Sequence, residues 1–161
     1  MVEMPLYGPR GRGLTVKVDD DIYEKYGHLH WRLDSGGYPY KVFEHVHDMP
    51  KQKRLHRVVL GVDDPKQRID HITGDKLDAR RENLRCCTNA ENIRNSGKRA
   101  ISSTSPYKGV HRLANGQWRA SIMVDYQKFN LGNYDDPDDA GYIYDQFALA
   151  LFGDYARCNL L

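Results

Sequence analysis

An acid and an imidazole adjacent in sequence, Asp70-His71, followed by Asn83 and Asn92, are the residues of this chain whose types and spacing best suit chemistry. A carboxylate oxygen and an amide oxygen are hard donors that fit Mg2+, or another divalent cation such as Mn2+, which keeps open positions for water and phosphate. Such an ion stabilises charge on a pentacovalent phosphate and on its leaving oxygen. His71, with an unperturbed pKa of roughly 6.5, can take a proton from an attacking water near neutral pH. Asn83 could hold that imidazole through hydrogen bonds. The set suits phosphodiester hydrolysis. By composition alone, however, an Asp-His pair is more often structural, and loop asparagines are more often turn formers.

Positioning these groups requires a strand end and a helix flanking a loop. Asp70 and His71 close a β-rich run from His56 to Ile69, interrupted by Asp63-Asp64-Pro65. Thr88 and Glu91 have capping-box spacing, which predicts a helix with Asn92 in an early turn. Before this segment, Leu14–Val18 reads as a strand and Tyr23–Tyr26 as a short helix stopped by Gly27. His28–Leu33 and Tyr38–Val46 read as strands around the turn Asp34-Ser35-Gly36-Gly37. After it, 99–106 is small and polar and reads as a linker. Residues 107–161 read as three strands and one helix. Asp136 and Pro137 open that helix, and Ala140, Ile143, Tyr144, Phe147, Ala148 and Leu151 form its buried face. On the strands, Trp118, Ala120, Ile122, Phe129 and Leu131 should face the helix, with Arg119, Ser121, Met123, Lys128 and Asn130 outward. The expected organisation is an N-terminal β-rich extension (1–50), a central unit (51–98), the linker, and a C-terminal domain (107–161), all in an α+β fold.

The segment D-H-I-T-G-D-K-L-D-A-R-R-E-N-L-R-C-C-T-N-A-E-N, from Asp70 to Asn92, resembles the HNH motif of phage- and intron-encoded homing endonucleases. Leu55-His56-Arg57-Val58-Val59 resembles the strand that opens it, and the similarity covers about Lys53 to Asn95. The resemblance implies a ββα-metal (His-Me finger) unit that cuts DNA. It implies Asp70 and Asn92 as metal ligands, His71 as general base, and Asn83 as the residue orienting the loop or the histidine. The last position is Asn92 where other branches carry His, and Cys86-Cys87 stands where a bulky apolar pair is common. His56 could reach the phosphate or simply pack.

Tyr107-Lys108-Gly109-Val110, Phe129-Asn130-Leu131-Gly132 and Gly153-Asp154-Tyr155-Ala156-Arg157, in that order, resemble the ethylene-response-factor (Apetala-type) DNA-binding domain. This implies a three-stranded sheet that enters the major groove of double-stranded DNA. The candidate contacts are Lys108, His111, Arg119, Ser121, Lys128 and Asn130. Plant domains carry more arginines on this face, so their target sequence does not carry over.

Charge is uneven along the 161 residues. Residues 51–104 hold 13 Lys and Arg against 7 Asp and Glu, a net of +6, while the blocks before and after each carry −2. A basic middle suits a polyanion, and Arg80, Arg81 and Arg85 are the candidate grips on the DNA backbone. No apolar run approaches the roughly 20 residues that span a bilayer, and the N-terminus lacks a secretory signal. The expectation is a cytoplasmic protein of a bacterial or phage-infected cell, with no membrane partner, acting as a monomer or homodimer. The three cysteines have no C-x-x-C spacing, so a disulfide framework is not expected. His28, His30, His45 and His47 could meet on zinc if their strands pair. The rival to an endonuclease is a DNA-binding regulator with a vestigial nuclease site. The intact set of Asp70, His71, Asn83 and Asn92 argues against that decay.

Overall fold

A computed structural model describes residues 1–43, 52–97 and 105–161. They form two compact units of mixed α and β structure, Met1–Asn89 and Ala90–Leu161.

The first unit is built on five strands: β1 (Val2–Tyr7), β2 (Thr15–Val18), β3 (Trp31–Leu33), β4 (Pro39–Val42) and β5 (Gln52–Arg54). Their order is β2-β1-β3-β4-β5. Only the β1–β3 pair is parallel. Met4 and Leu6 alternate with exposed neighbours along β1, so one face of the sheet is apolar. Helix α1 (Asp20–Tyr26) contributes Ile22 to the core, and the Gly27 N–H closes the helix on the Tyr23 carbonyl. Two segments depart from expectation. Residues Leu55–Leu60 form a helix, α2, and not a strand. The adjacent valines favour a strand, but Leu55, His56 and Val59 fall on one helical face and are buried. Gly61, with φ 64°, ends the helix. The other is the packing of the N-terminal block, which joins the segment after it in one unit. Leu55, Val59, Ala79 and Leu84 share one core with Met4, Val16, Val18 and Trp31. Main-chain bonds from Lys17 N–H to the Leu77 carbonyl and from Ala79 N–H to the Lys17 carbonyl stitch the N-terminal block to the later loop.

Strands β6 (Arg68–His71) and β7 (Leu84–Cys87) form an antiparallel pair, with Asp70 opposite Arg85 and His71 opposite Leu84. Helix α3 (Asn89–Asn95) begins one residue after Thr88, as the capping-box spacing predicts.

In the second unit β8 (Val110–Arg112), β9 (Trp118–Val124) and β10 (Gln127–Tyr134) form an antiparallel sheet in the order β10-β9-β8. Helix α4 (Pro137–Phe152) follows, its N-terminus capped by the Asp136 carboxylate accepting from Asp138 N–H. Ala140, Tyr144 and Ala148 pack with Val110, Ala120 and Ile122 in two clusters. The buried face differs from the expected one. Gly141 and Asp145 lie on it, whereas Phe147 is 45% and Leu151 49% exposed. Asp145 accepts from the Asn159 and Leu160 N–H groups at 2.7–2.9 Å, so the helix spends that position on holding the C-terminal segment. Phe129, expected inside, is exposed at the edge strand. Gly109, at φ 77°, lies where a Cβ would meet the Tyr144 ring at 2.1 Å, so only glycine fits.

Candidate active site

Asp70 and His71 end β6, and both are buried. Across the hairpin, Arg85 donates from Nε and Nη2 to Asp70 Oδ2 at 3.0 and 2.8 Å. Both charge-assisted bonds meet one oxygen and anchor that end of the carboxylate. The loop after His71 is held by Asn83, which is 3% exposed. Its side-chain oxygen accepts from Thr73 N–H at 2.9 Å, its amide donates to the Asp78 carbonyl at 2.8 Å, and its main-chain carbonyl accepts from Ile72 N–H. Asn83 therefore fastens both ends of the 72–79 loop.

Burial lowers the pKa of His71 below its ordinary 6.5, against the raising pull of Asp70, Asp75 and Asp78. A lowered pKa favours the neutral ring, the form that accepts a proton. His56, on α2, lies beside it, the ring centroids 5.3 Å apart and the planes at 89°. Burial, then the neighbouring His71, Arg54 and Arg57, push His56 down to about 3. Its Nδ1 is buried with no hydrogen bond from the described residues. Its ring packs edge-on against both the Tyr38 and the His71 rings.

The arginines expected on the DNA backbone are all engaged within the unit. Arg80 pairs with Asp78 and Glu82, Arg81 with Asp19 and Asp21, and Arg85 with Asp70. Tyr38 gathers with Arg54 and Lys76, neither of which sequence reasoning singled out, around the two histidines; the turn Asp34–Gly37 was visible, but not what it packs against. Tyr7 stacks on His30 at 4.3 Å. His45 and His47 lie outside the described residues, and among those described no group of three or more metal-binding side chains forms.

In the second unit, Asn92 lies on α3. His111, Arg119 and Asn133 are paired across β8, β9 and β10, with Ser121 opposite Asn130 and Met123 opposite Lys128. One face of this sheet thus carries His111, Arg119, Lys128 and Asn130. Arg119 Nε donates to Asn133 at 2.9 Å, which fixes its direction. The pKa of His111 is lowered by partial burial and by the nearby charges of Lys128 and Arg119. Two expected contacts are placed differently. Ser121 is buried under Gly109, to whose carbonyl it donates. Lys108 Nζ donates to the Arg94 and Ser96 carbonyls at 2.5 and 2.8 Å, closing the C-terminal end of α3.

Residues 53–94 match the family model described as HNH endonuclease. Over 155 residues, 93% of this chain and 77% of the relative, the chain is 28% identical to a protein of Acanthamoeba polyphaga mimivirus named as an uncharacterized HNH endonuclease, L560. No solved structure gives a significant match. No described helix is long and apolar enough to cross a membrane. The chain carries an HNH endonuclease domain, and with it the activity of a DNA endonuclease.

Proposed function

We propose that the HNH endonuclease domain of this chain hydrolyses DNA phosphodiester bonds with the help of a divalent cation, and that residues 107–161 bias where it cuts. The observation that carries the reading is the pair Asp70-His71 at the end of β6, with the carboxylate anchored by Arg85 and the following loop fastened by Asn83. Asp70 and Asn92 supply a carboxylate and an amide oxygen, a donor set that suits Mg2+ or Mn2+. When bound, the cation stabilises charge on the phosphate and on the departing oxygen.

The chain's own residues do the rest. His71, its neutral form favoured by burial, accepts the proton of the attacking water. Asn83 keeps the 72–79 loop from collapsing into the space beside His71. Arg85 holds one oxygen of Asp70 and anchors that end of the carboxylate. The sheet face with His111, Arg119, Lys128 and Asn130 is the DNA reader, in keeping with its resemblance to the ethylene-response-factor domain. The homing-type mode rests on the resemblance of the 70–92 motif.

Supercoiled plasmid incubated with Mg2+, and in parallel with EDTA, tests the reading. The expected result is cleavage with Mg2+ and none with EDTA. Open circles would indicate nicking and linear molecules double-strand cleavage. Binding without cleavage under both conditions would instead support a regulator with a vestigial site.

A further inference from the structure

Three rings close into a triangle at the end of β6. Tyr38 lies 5.4 Å from His56 and 5.9 Å from His71, and the two histidines are 5.3 Å apart. Tyr38 comes from the N-terminal block, outside the segment 53–94 that matches the HNH endonuclease model. The turn that presents it is over-determined. Asp34 Oδ1 accepts from the Gly36 and Tyr38 N–H groups at 2.8 and 3.0 Å, and the Asp34 N–H donates to the Tyr38 carbonyl. Arg54 binds the other Asp34 oxygen at 2.8 Å, tying the turn to β5. Lys76, from the loop that Asn83 fastens, donates to the Gly36 carbonyl at 2.7 Å. The Arg54 guanidinium and the Lys76 ammonium each lie over the Tyr38 ring, 4.6 and 4.7 Å from its centroid. Five polar attachments and two cation–ring contacts thus converge on this one turn and the ring it presents to the two imidazoles.

We infer that Tyr38 is a positioning residue for His71: its ring is the wall that, with His56, restricts the imidazole to one orientation, and the N-terminal block is part of the nuclease machinery. The inference rests on the reading of His71 as the general base. Misplacement of a reacting group by about 1 Å costs on the order of a hundredfold in rate. A ring that only packs would instead affect stability and leave the rate per folded molecule alone.

The test uses the full chain, with plasmid cleavage in Mg2+, DNA affinity and thermal melting measured for Tyr38→Leu, Tyr38→Phe and Asp34→Ala. Tyr38→Leu should lower kcat by roughly ten- to a hundredfold, with DNA affinity changed less than about threefold. Tyr38→Phe, which keeps the ring, should restore most of that loss. Asp34→Ala, which loosens the turn but keeps the ring, should lower kcat in the same direction by a smaller factor, and it carries the test if Tyr38→Leu fails to fold. A wild-type kcat in folded Tyr38→Leu, or in Asp34→Ala should Tyr38→Leu not fold, overturns the inference. So does a loss that Tyr38→Phe shares in full. The imidazole carbon-proton resonances of His56 and His71, recorded without DNA, provide a second readout. They should shift in Tyr38→Leu and stay near their wild-type positions in Tyr38→Phe; unmoved resonances in Tyr38→Leu overturn the contact itself. If the wild-type chain fails to cleave, the nuclease reading fails, while this readout still decides whether Tyr38 orients the imidazoles.

Discussion

Burial lowers the pKa of His71 while Asp70, Asp75 and Asp78 push the other way, so neutrality of the ring depends on how dry its surroundings stay. A neutral imidazole with a fixed direction is what general-base catalysis asks for. His71→Ala should therefore lower cleavage by roughly 10²–10⁴-fold and leave DNA binding nearly intact, as read from plasmid cleavage beside a filter-binding or anisotropy titration. Asp70→Ala and Asn92→Ala should each abolish Mg2+-dependent cleavage, because each removes an oxygen donor from an ion with few protein ligands. Asp70→Ala also removes the carboxylate that Arg85 grips, so melting temperature is recorded alongside. Normal cleavage with normal metal dependence in both variants would show that the ligands lie elsewhere.

Elements of the second unit carry two features that can be tested separately. The turn between β9 and β10 is only two residues long, Asp125 and Tyr126, with φ 46° and 65°. Left-handed backbone matches the twist of a two-residue hairpin but costs an L-residue about 1–2 kcal/mol. Tyr126 is fully exposed, so its side chain offers no packing in return. Tyr126→Gly should stabilise the sheet by roughly 0.5–1 kcal/mol, measured by amide hydrogen exchange along β9 and β10. Slower exchange is the expected outcome, and unchanged or faster exchange would refute it. The second feature is Lys108, whose pKa burial pushes down to about 8. The folded state then binds fewer protons than the unfolded one between about pH 8 and the ordinary lysine value of 10.5. Stability should rise with pH through that window, the cost of charging the buried amine being fully present below about pH 8. Chemical denaturation of wild type and Lys108→Met across this range isolates the effect. The wild-type slope minus the mutant slope should be positive, and a zero or negative difference would exclude Lys108 as its source.

At the scale of the whole molecule, grip and selectivity should separate. Phosphate contacts set affinity and salt dependence, whereas base-edge contacts set selectivity. Arg80, Arg81 and Arg85 are each ion-paired, and a paired arginine brings less net charge to a phosphate than a solvated one. Arg80→Ala should weaken binding about equally on all sequences and flatten the salt slope by less than a full unit. Arg119, directed by Asn133, should instead discriminate by roughly 1–3 kcal/mol if it meets a base edge with two donors. Cut sites mapped on one long duplex provide the comparison. A chain ending near Lys98 should still cut, more slowly and at less defined positions, and Arg119→Ala should shift site preference. An identical cleavage pattern without residues 107–161 would place specificity in the rest of the chain.

Residues whose roles depend on neighbours a few positions away were legible in the sequence. The helix start after Thr88 and the Asp136-Pro137 cap are local patterns, set by hydrogen-bonding chemistry within a turn or two, whereas Asp70-His71 and Asn83 were picked out by the resemblance of the 70–92 segment. What the sequence did not show depends on long-range contact. The α2 segment carries strand-favouring valines, and only burial of Leu55, His56 and Val59 against the N-terminal sheet makes it a helix. Arg80 and Arg81 look like free cations until the fold brings Asp78, Asp19 and Asp21 to them. Lys108 looks like a DNA contact until the carbonyls of Arg94 and Ser96 claim its ammonium. Tyr38 is separated from His71 by 33 positions, and no periodicity records that pairing. Charge and hydrogen-bonding capacity are properties of a residue, but whether they remain available to a substrate is decided by which partners the tertiary structure brings within about 3 Å.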